Sequence, residues 1–400
     1  MDIMEEADIA IVGAGPSGLI SAREASLRGV KVIVLEEHSE IGLPCHCAGL
    51  LSIKGLREIR VPCDGPHVLN RVRGAHFISP SKLSFTVERK EPIACVVNRQ
   101  AFDKLLAEQA SKSGALIRLS SRVKSVERSC EGRWIINADS CIVKAKILIV
   151  AEGAVPRVLR MTGLRTLDIS RLLSGLQVDL EGVSLDPDYV EVHFSNTLSP
   201  GLFAWVIPLN EEAARVGLAC KGSNVRTRLL KFIRRRFGDA VDDKVKFHRF
   251  YSGLVITQGP IKRTYGDAML VVGDAAGQVK PLSGGGVILG GICASIAGRI
   301  ASKAVIEGDI SKGSLKVYED TWRGIVGGDL RIALFARRIL DRVSDRGLDK
   351  IFSAIIKEGI YRDFSEEADM DFHGKLLTRV IKRRGNLRLF LTLLKAAMLS

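Results

Sequence analysis

The residues with the plainest chemistry in this 400-residue chain are glycines and carboxylates at the ends of apolar runs. Residues 8–12 (DIAIV) form one such run. Gly13-Ala14-Gly15-Pro16-Ser17-Gly18 follows it, then a helical pattern through LISAREASLRG, then a second apolar run, VKVIVLE, that ends at Glu36. The order reads strand, GxGxxG turn, helix, strand, acid. Gly13 permits the tight turn, Gly15 lets a pyrophosphate approach the backbone, and Gly18 lets helix and strand pack closely. The helix start offers free N–H groups and a positive dipole end to phosphates. Glu36 can accept hydrogen bonds from an adenosine ribose. The unit indicates a dinucleotide, and by itself it does not separate NAD from FAD.

A second constellation chooses between them. Residues 265–286 read YGDAMLVVGDAAGQVKPLSGGG, in which AMLVV is a buried strand ended by Gly273-Asp274. An aspartate there can hold the ribityl hydroxyls of a flavin. The glycine loop through Gly285 and Gly286, and the helix start after it, can face the flavin edge where negative charge develops on reduction. The expected cofactor is FAD.

Taken together these motifs resemble the FAD-dependent reductase and hydroxylase superfamily with the p-hydroxybenzoate hydroxylase fold. KAKILIVAEGAVPRVLR resembles that family's strand-DGxxSxxR segment, with Glu152 in place of Asp and Pro156 in place of Ser. VVNRQAFDKLLAEQA resembles its RxxFDxxL helix, which implies that Arg99 contacts the flavin side. The resemblance also implies cofactor contacts at Ser17, Glu37 and Ala48. No second strand-GxGxxG-helix unit appears after residue 50, so reduction is expected from an external donor, a small reductant or a ferredoxin-like protein.

Two stretches narrow the branch. Ser199–Pro208 (SPGLFAWVIP) resembles the PGGYxWxFP motif of geranylgeranyl reductases, with matches at Pro200, Gly201, Trp205 and Pro208 and departures at Leu202, Phe203 and Ile207. Phe203, Trp205 and Pro208 are thus implied to border a long apolar substrate beside the flavin. Glu40–Leu50 (EIGLPCHCAGL) resembles the same enzymes' EIGxPxxCxG segment and puts Cys47 at the family cysteine. Saturating an isolated double bond needs a hydride on one carbon and a proton on the other, and a thiol can donate the proton. A disulfide with Cys293, on the helix after the glycine loop, is the alternative use of that thiol. Cys45 and His46 read as structural, and no metal site is expected. The implied activity is reduction of geranylgeranyl chains on an ether-linked phospholipid or related polyprenyl lipid. Halogenases offer a competing match, since FAWVIP fits their WxWxIP except at the first position, with Lys82 as the one candidate for their lysine. Hydroxylase chemistry and a quinone-linked electron-transfer dehydrogenase are the remaining flavoenzyme alternatives.

The elements that must position these residues follow an α/β plan. A Rossmann-like FAD-binding domain is expected in three pieces (1–61, 98–169 and 259–310). Period-two runs such as KLSFTVE, LLSGLQVDL and YVEVHF place an inserted antiparallel-sheet substrate domain at 62–97 and 170–258. A helical region is expected over 311–400, with a basic helix earlier, VRTRLLKFIRRRFG. The uncharged run Pro281–Gly298 reads as a loop feeding a helix.

Composition excludes disorder and collagen: 46% of residues are hydrophobic and 26% charged. Eight cysteines without a repeated CxxC pair exclude a disulfide scaffold or zinc ribbon. The net charge of +14 admits nucleic acid or an anionic membrane. No zinc finger, helix-turn-helix or aromatic RNA motif accompanies it, so nucleic acid is not expected. A basic amphipathic stretch (Arg379, Lys382, Arg383, Arg384, Arg388, Lys395) reads either as a helix packed on the domain with a solvated basic face or as a peripheral contact with an anionic membrane. The start, MDIMEEADIAIVGAG, enters a strand at once without a signal-peptide pattern, so the expected location is cytoplasmic, at the inner face of the membrane if that contact is made.

Overall fold

A computed structural model describes residues 3–238, 244–367, 369–375, 377 and 378. The basic stretch beginning at Arg379, and with it the choice between packed helix and membrane contact, lies outside the described residues. Among these residues the chain forms three sheets, of eight, seven and three strands.

The eight-stranded sheet is the Rossmann-like layer. Strand Ile3–Val12 pairs in parallel with Val32–Leu35 on one side and with Cys141–Val150 on the other, and Met269–Val271 adds in parallel beyond. Ile9, Ile11, Ile33, Val34, Ile147 and Ile149 along these strands are fully buried, as expected for a parallel sheet covered on both faces. One face carries the helices Pro16–Ser26, Arg99–Lys112 and Val287–Glu307 over a single apolar cluster. The uncharged run separates as its glycines suggest: Lys280–Gly286 is loop and the helix begins at Val287. That helix is long and apolar enough to cross a membrane, yet most of its hydrophobic stretch is buried inside the protein, and it is a core helix.

The seven-stranded sheet gathers strands from two separate stretches, Gly74–Ile78 and Ser84–Glu88 with those between Leu173 and Val255. All neighbours are antiparallel except Tyr189–His193 against Gly74–Ile78, where the two stretches meet. Strands Val68–Val72 and Ala94–Val97, which flank the first stretch, instead join Leu50–Ser52 in the three-stranded sheet. Alternation gives the large sheet two faces. Val178, Leu180, Val206, Val216 and Leu218 face the basic helix Val225–Phe237 through Leu229, Phe232 and Ile233. Trp205, Ile207, Gln177 and Arg215 face the other way, towards the small sheet and the cofactor layer.

The C-terminal helices Lys312–Trp322, Gly328–Leu340, Asp345–Lys357 and Ile360–Glu367 close the structure, with a π-helical turn at Arg323–Gly327 between the first two. Phe352, Tyr361 and Phe364 pack on Phe85 and so cover the edge of the large sheet. The helix from Asp345 is tied down at its start. Asp345 accepts from Asn196 N and Thr197 Oγ1, and Asp349 from Ser79 Oγ and Ser81 Oγ.

One ion pair joins the basic helix to its sheet. Arg236 Nε and Nη2 donate to Glu191 at 2.7 and 2.5 Å, and His193 Nε2 lies 2.7 Å from the same carboxylate. Burial pushes the Glu191 carboxyl up, but hydrogen bonds to Arg236 and His193 outweigh it and hold it down at about 2 against the usual 4.5. A depressed carboxyl contributes stability above its unfolded value and loses it as pH falls through the folded one. Glu191→Gln is therefore expected to cost about 2 kcal/mol at pH 7 in urea unfolding. The difference from the wild-type chain should shrink between pH 4.5 and about 2.

Candidate flavin site

The glycine turn is built from close approaches. Gly13 has φ +101°, and a Cβ there would stand 2.5 Å from the Ala151 carbonyl oxygen. A Cβ on Gly18 would fall 1.9 Å from Gly13 O, so the helix can lie this close only without a side chain. Gly15, which caps the helix, has nothing within 4 Å of its missing Cβ, and space opens in front of the first-turn amides. Ser17 joins the two distant motifs. Its Oγ sits where a Cβ on Gly273 would be 2.4 Å away and one on Gly290 2.7 Å away. The first turns of helices Pro16–Ser26 and Val287–Glu307 thus lie side by side.

Acidic residues flank this space. Glu36 Oε2 accepts from Ala14 N at 2.7 Å and Oε1 from His38 N at 3.0 Å, so the carboxylate holds the glycine turn as well as ending its strand. Glu37 Oε2 is taken by Arg122 Nε at 2.9 Å and Arg157 Nη1 at 3.1 Å. Glu152, standing where the resembled family has Asp, accepts from the backbone N–H groups of Arg157, Val158 and Leu159 and so organises the turn that follows its strand. Asp274 is different: its carboxylate has no hydrogen-bond or ion-pair partner among the described residues. Burial pushes its carboxyl up, with Arg99 pulling the other way. A Cβ on Gly286, at the cap of the second helix, would lie 2.6 Å from Asp274 Oδ1. An unpartnered half-buried carboxylate, two helix starts and an unobstructed Gly15 fit a flavin dinucleotide.

Arg99 opens the helix Arg99–Lys112. It forms two 3.0 Å bonds from Nη2 to Asp103, one turn on in its helix, and both side chains are buried. Burial lowers the Arg99 guanidinium, but Asp103 and Cys47 hold it well above the usual arginine value. Arg99 thus interacts electrostatically with both Asp274 and Cys47.

The Cys47 loop is held from the large sheet. Gln177 Nε2 donates to the Cys47 carbonyl at 3.0 Å, and Arg215 Nη1 to the Ala48 carbonyl at 3.0 Å. Arg215 is oriented by two bonds to Asp179, 2.8 and 2.9 Å, across the neighbouring strand. Gly49 N donates to Cys47 Sγ at 3.4 Å. His46 is fastened through Nδ1 to the Ser252 carbonyl, and burial pushes the Cys45 thiol up. Gln177 reaches the loop because Gly217 lies between it and Trp205: a Cβ there would be 2.6 Å from Gln177 Cβ and 2.5 Å from Trp205 Cζ2. Cys293 is a free thiol fully buried in the core helix, and Cys47 is free in its loop.

Trp205 and Phe203 are half-buried and meet edge to face at 6.2 Å. From Phe203 the contacts run to Phe194 (5.8 Å), Phe352 (5.7 Å) and Phe85 (5.2 Å). Pro208 does not join them. Alternation puts its ring on the Ala204 and Val206 face, and its carbonyl accepts from Asn70 Nδ2 at 3.1 Å. Lys82 is exposed in the turn Ser79–Lys82 with φ +71°, and no hydrogen bond or ion pair of its side chain occurs among the described residues. Gln177, the Asp179–Arg215 pair and Asp103 were invisible as site residues in the sequence. The only trace of the first is Gly217, an isolated glycine in an apolar strand.

A second buried group steadies the glycine loop. Lys280 Nζ donates to the Met370 carbonyl at 2.9 Å and to Asp371 Oδ1 at 3.1 Å, and Ser52 Oγ donates to the same carboxylate. A Cβ on Gly285 would lie 2.7 Å from Lys280 Cε.

Residues 6–321 match the model of the FAD binding domain family. The chain is 33% identical over 356 residues to a digeranylgeranylglycerophospholipid reductase of Methanocaldococcus jannaschii, covering 87% of this chain and 90% of that one. A crystal structure of a geranylgeranyl bacteriochlorophyll reductase-like protein from Thermoplasma acidophilum superposes with a TM-score of 0.85 at 26% identity, over 95% of this chain and 97% of that one. A flavin-dependent brominase shares the fold alone, with a TM-score of 0.69 at 17% identity over 95% of this chain and all of its own. The chain belongs to the FAD-binding family, on the branch of the digeranylgeranylglycerophospholipid reductases.

Proposed function

We propose that the protein is an FAD-dependent reductase that saturates double bonds in geranylgeranyl chains of an ether-linked phospholipid or related polyprenyl lipid. The observation that carries this reading is the Gln177–Cys47 bond. It holds a thiol-bearing loop between the aromatic row of the large sheet and the Arg99 side of the flavin site.

Gly13, Gly15, Gly18 and Ser17 would receive the pyrophosphate and adenosine end, with Glu36 and Glu37 beside the ribose. Asp274, Gly273, Gly285 and Gly286 would take the ribityl and ring end, with Ala48 and Arg99 on the far side. When bound and reduced, FAD supplies a hydride to one carbon of the alkene. The second carbon takes its proton from Cys47 Sγ, and water restores the thiol. Trp205 and Phe203 hold the apolar chain and exclude water from it. Electrons come from a donor outside the chain, and a lipid substrate calls for contact with a membrane surface. Lys82 lies exposed in a turn with no partner among the described residues that would aim its side chain at a site, which disfavours the halogenase alternative.

Purified protein with chemically reduced flavin should convert a geranylgeranyl ether lipid to products heavier by two hydrogens per step in mass spectrometry. If that lipid stays unsaturated while an aromatic compound is hydroxylated or halogenated in air, the reading is wrong. Cys47→Ala should lower turnover about 100-fold with flavin content unchanged. Full turnover in that variant removes the proton-donor role alone. Asp274→Asn should purify with flavin bound at least tenfold more weakly, read by fluorescence titration, because a carboxylate is a much stronger acceptor for ribityl hydroxyls than an amide.

A further inference from the structure

The helix Gly328–Leu340 buries Leu330, Ala333 and Arg337 and turns its other side to solvent. That side carries Ile332 and Phe335, 38% and 53% exposed, with Ile325 of the preceding π turn at 43%. Arg331 and Arg338 are exposed beside them and, like Arg346 and Lys350 on the next helix, have no hydrogen bond or ion pair among the described residues. Many arginines elsewhere are committed: Arg99, Arg118, Arg122, Arg157, Arg215 and Arg236 all bind carboxylates. Here cations without counter-charges border a short row of exposed apolar side chains.

We infer that this face docks on a lipid bilayer bearing anionic headgroups. Ile325, Ile332 and Phe335 enter the acyl boundary, and Arg331, Arg338 and Arg346 meet the phosphates. The charge pattern selects this occupant over a second copy of the chain. Self-association through a two-fold axis would set these unpaired arginines against one another, and three side chains are few for a stable protein interface.

The position of the face gives docking a use. Ile339 and Leu340, at the far end of the same helix, pack into the cluster of Phe85 and Phe352. From there the aromatic contacts continue through Phe194 and Phe203 to Trp205. Packed apolar side chains thus link the docked helix to the Trp205 side of the site, where a lipid chain would be received. That use rests on the reductase reading; the docking does not.

The test is flotation of the full-length, flavin-loaded protein with vesicles of phosphatidylglycerol and phosphatidylcholine, or of phosphatidylcholine alone, none containing a prenyl lipid. The protein should float with the anionic vesicles, less as salt rises, and at least tenfold less with phosphatidylcholine alone. Phe335→Asp with Ile332→Asp, and separately Arg331→Glu with Arg338→Glu, should each lower anionic-vesicle binding tenfold or more. Both should keep the wild-type flavin spectrum and melting temperature, because all four side chains are exposed. The proposal is overturned if the wild-type protein does not float. It is also overturned if both variants float normally, which would assign binding to another surface such as the segment beginning at Arg379. Loss of a dimer in the Phe335→Asp variant with vesicle binding intact would assign the face to a second copy. Docking that persists in a protein inactive on geranylgeranyl lipids would instead overturn the reductase reading alone.

Discussion

Helices Pro16–Ser26 and Val287–Glu307 lie closer together than side chains normally allow, and the rest of the site depends on that contact. Gly290 and Gly273 leave room for Ser17 Oγ, and a Cβ on Gly298 would stand 2.4 Å from Ser21 O. Each glycine carries a conformational cost of roughly 1 kcal/mol in a helix interior, which Gly290 and Gly298 both incur. Packing offsets that cost: Leu19, Ile20, Leu289 and Ile296 are almost fully buried around the contact. As a result two helix starts face one space, and two partial positive charges converge where a dinucleotide carries its negative ones.

A second constraint is imposed from the other sheet. The Cys47 loop has no regular structure of its own, and its position is borrowed from strands that lie much later in the chain. Gln177 and Arg215 occupy adjacent cross-strand rows on one face, so their two bonds to Cys47 O and Ala48 O act as a pair of fixed points. The Asp179–Arg215 pair is nearly buried, and its removal from one side would leave a charge without a partner beside the loop. Flavin layer and large sheet are therefore coupled through the loop that carries the thiol.

These two constraints explain what could be read in advance. The glycine turns, Glu36 and Asp274 were legible because their geometry is local: a strand end, a turn and a helix start within a few residues. The large sheet was legible as alternating strands, and the core helix after Gly286 as a loop feeding a helix. The partners of Cys47 were not, since alternation tells which face Gln177 occupies but not what crosses that face. Pro208 shows the limit of motif reading. It matches the same stretch as Trp205, yet odd and even positions of a strand point apart, and its ring cannot share the tryptophan's side. Asp103 is hidden in the sequence for a different reason. An i, i+4 arginine–aspartate pair ordinarily sits on a solvated helix face, and only tertiary packing buries this one.

The surplus of positive charge takes a different meaning at each level. In the composition it is a single number, +14. In the structure it divides into arginines that hold carboxylates within the fold and arginines that hold none. The first group includes Arg236 on Glu191 and Arg215 on Asp179, and it adds little net field because each cation is neutralised locally. The second group is spread over the surface, Arg57, Arg160 and Arg171 among it, but on Gly328–Leu340 two of its members, Arg331 and Arg338, stand beside exposed isoleucine and phenylalanine. Net charge is thus a poor guide to partners until the internally satisfied cations are set aside. On Gly328–Leu340 such free cations coincide with exposed apolar side chains, at the outer end of aromatic contacts that reach Trp205.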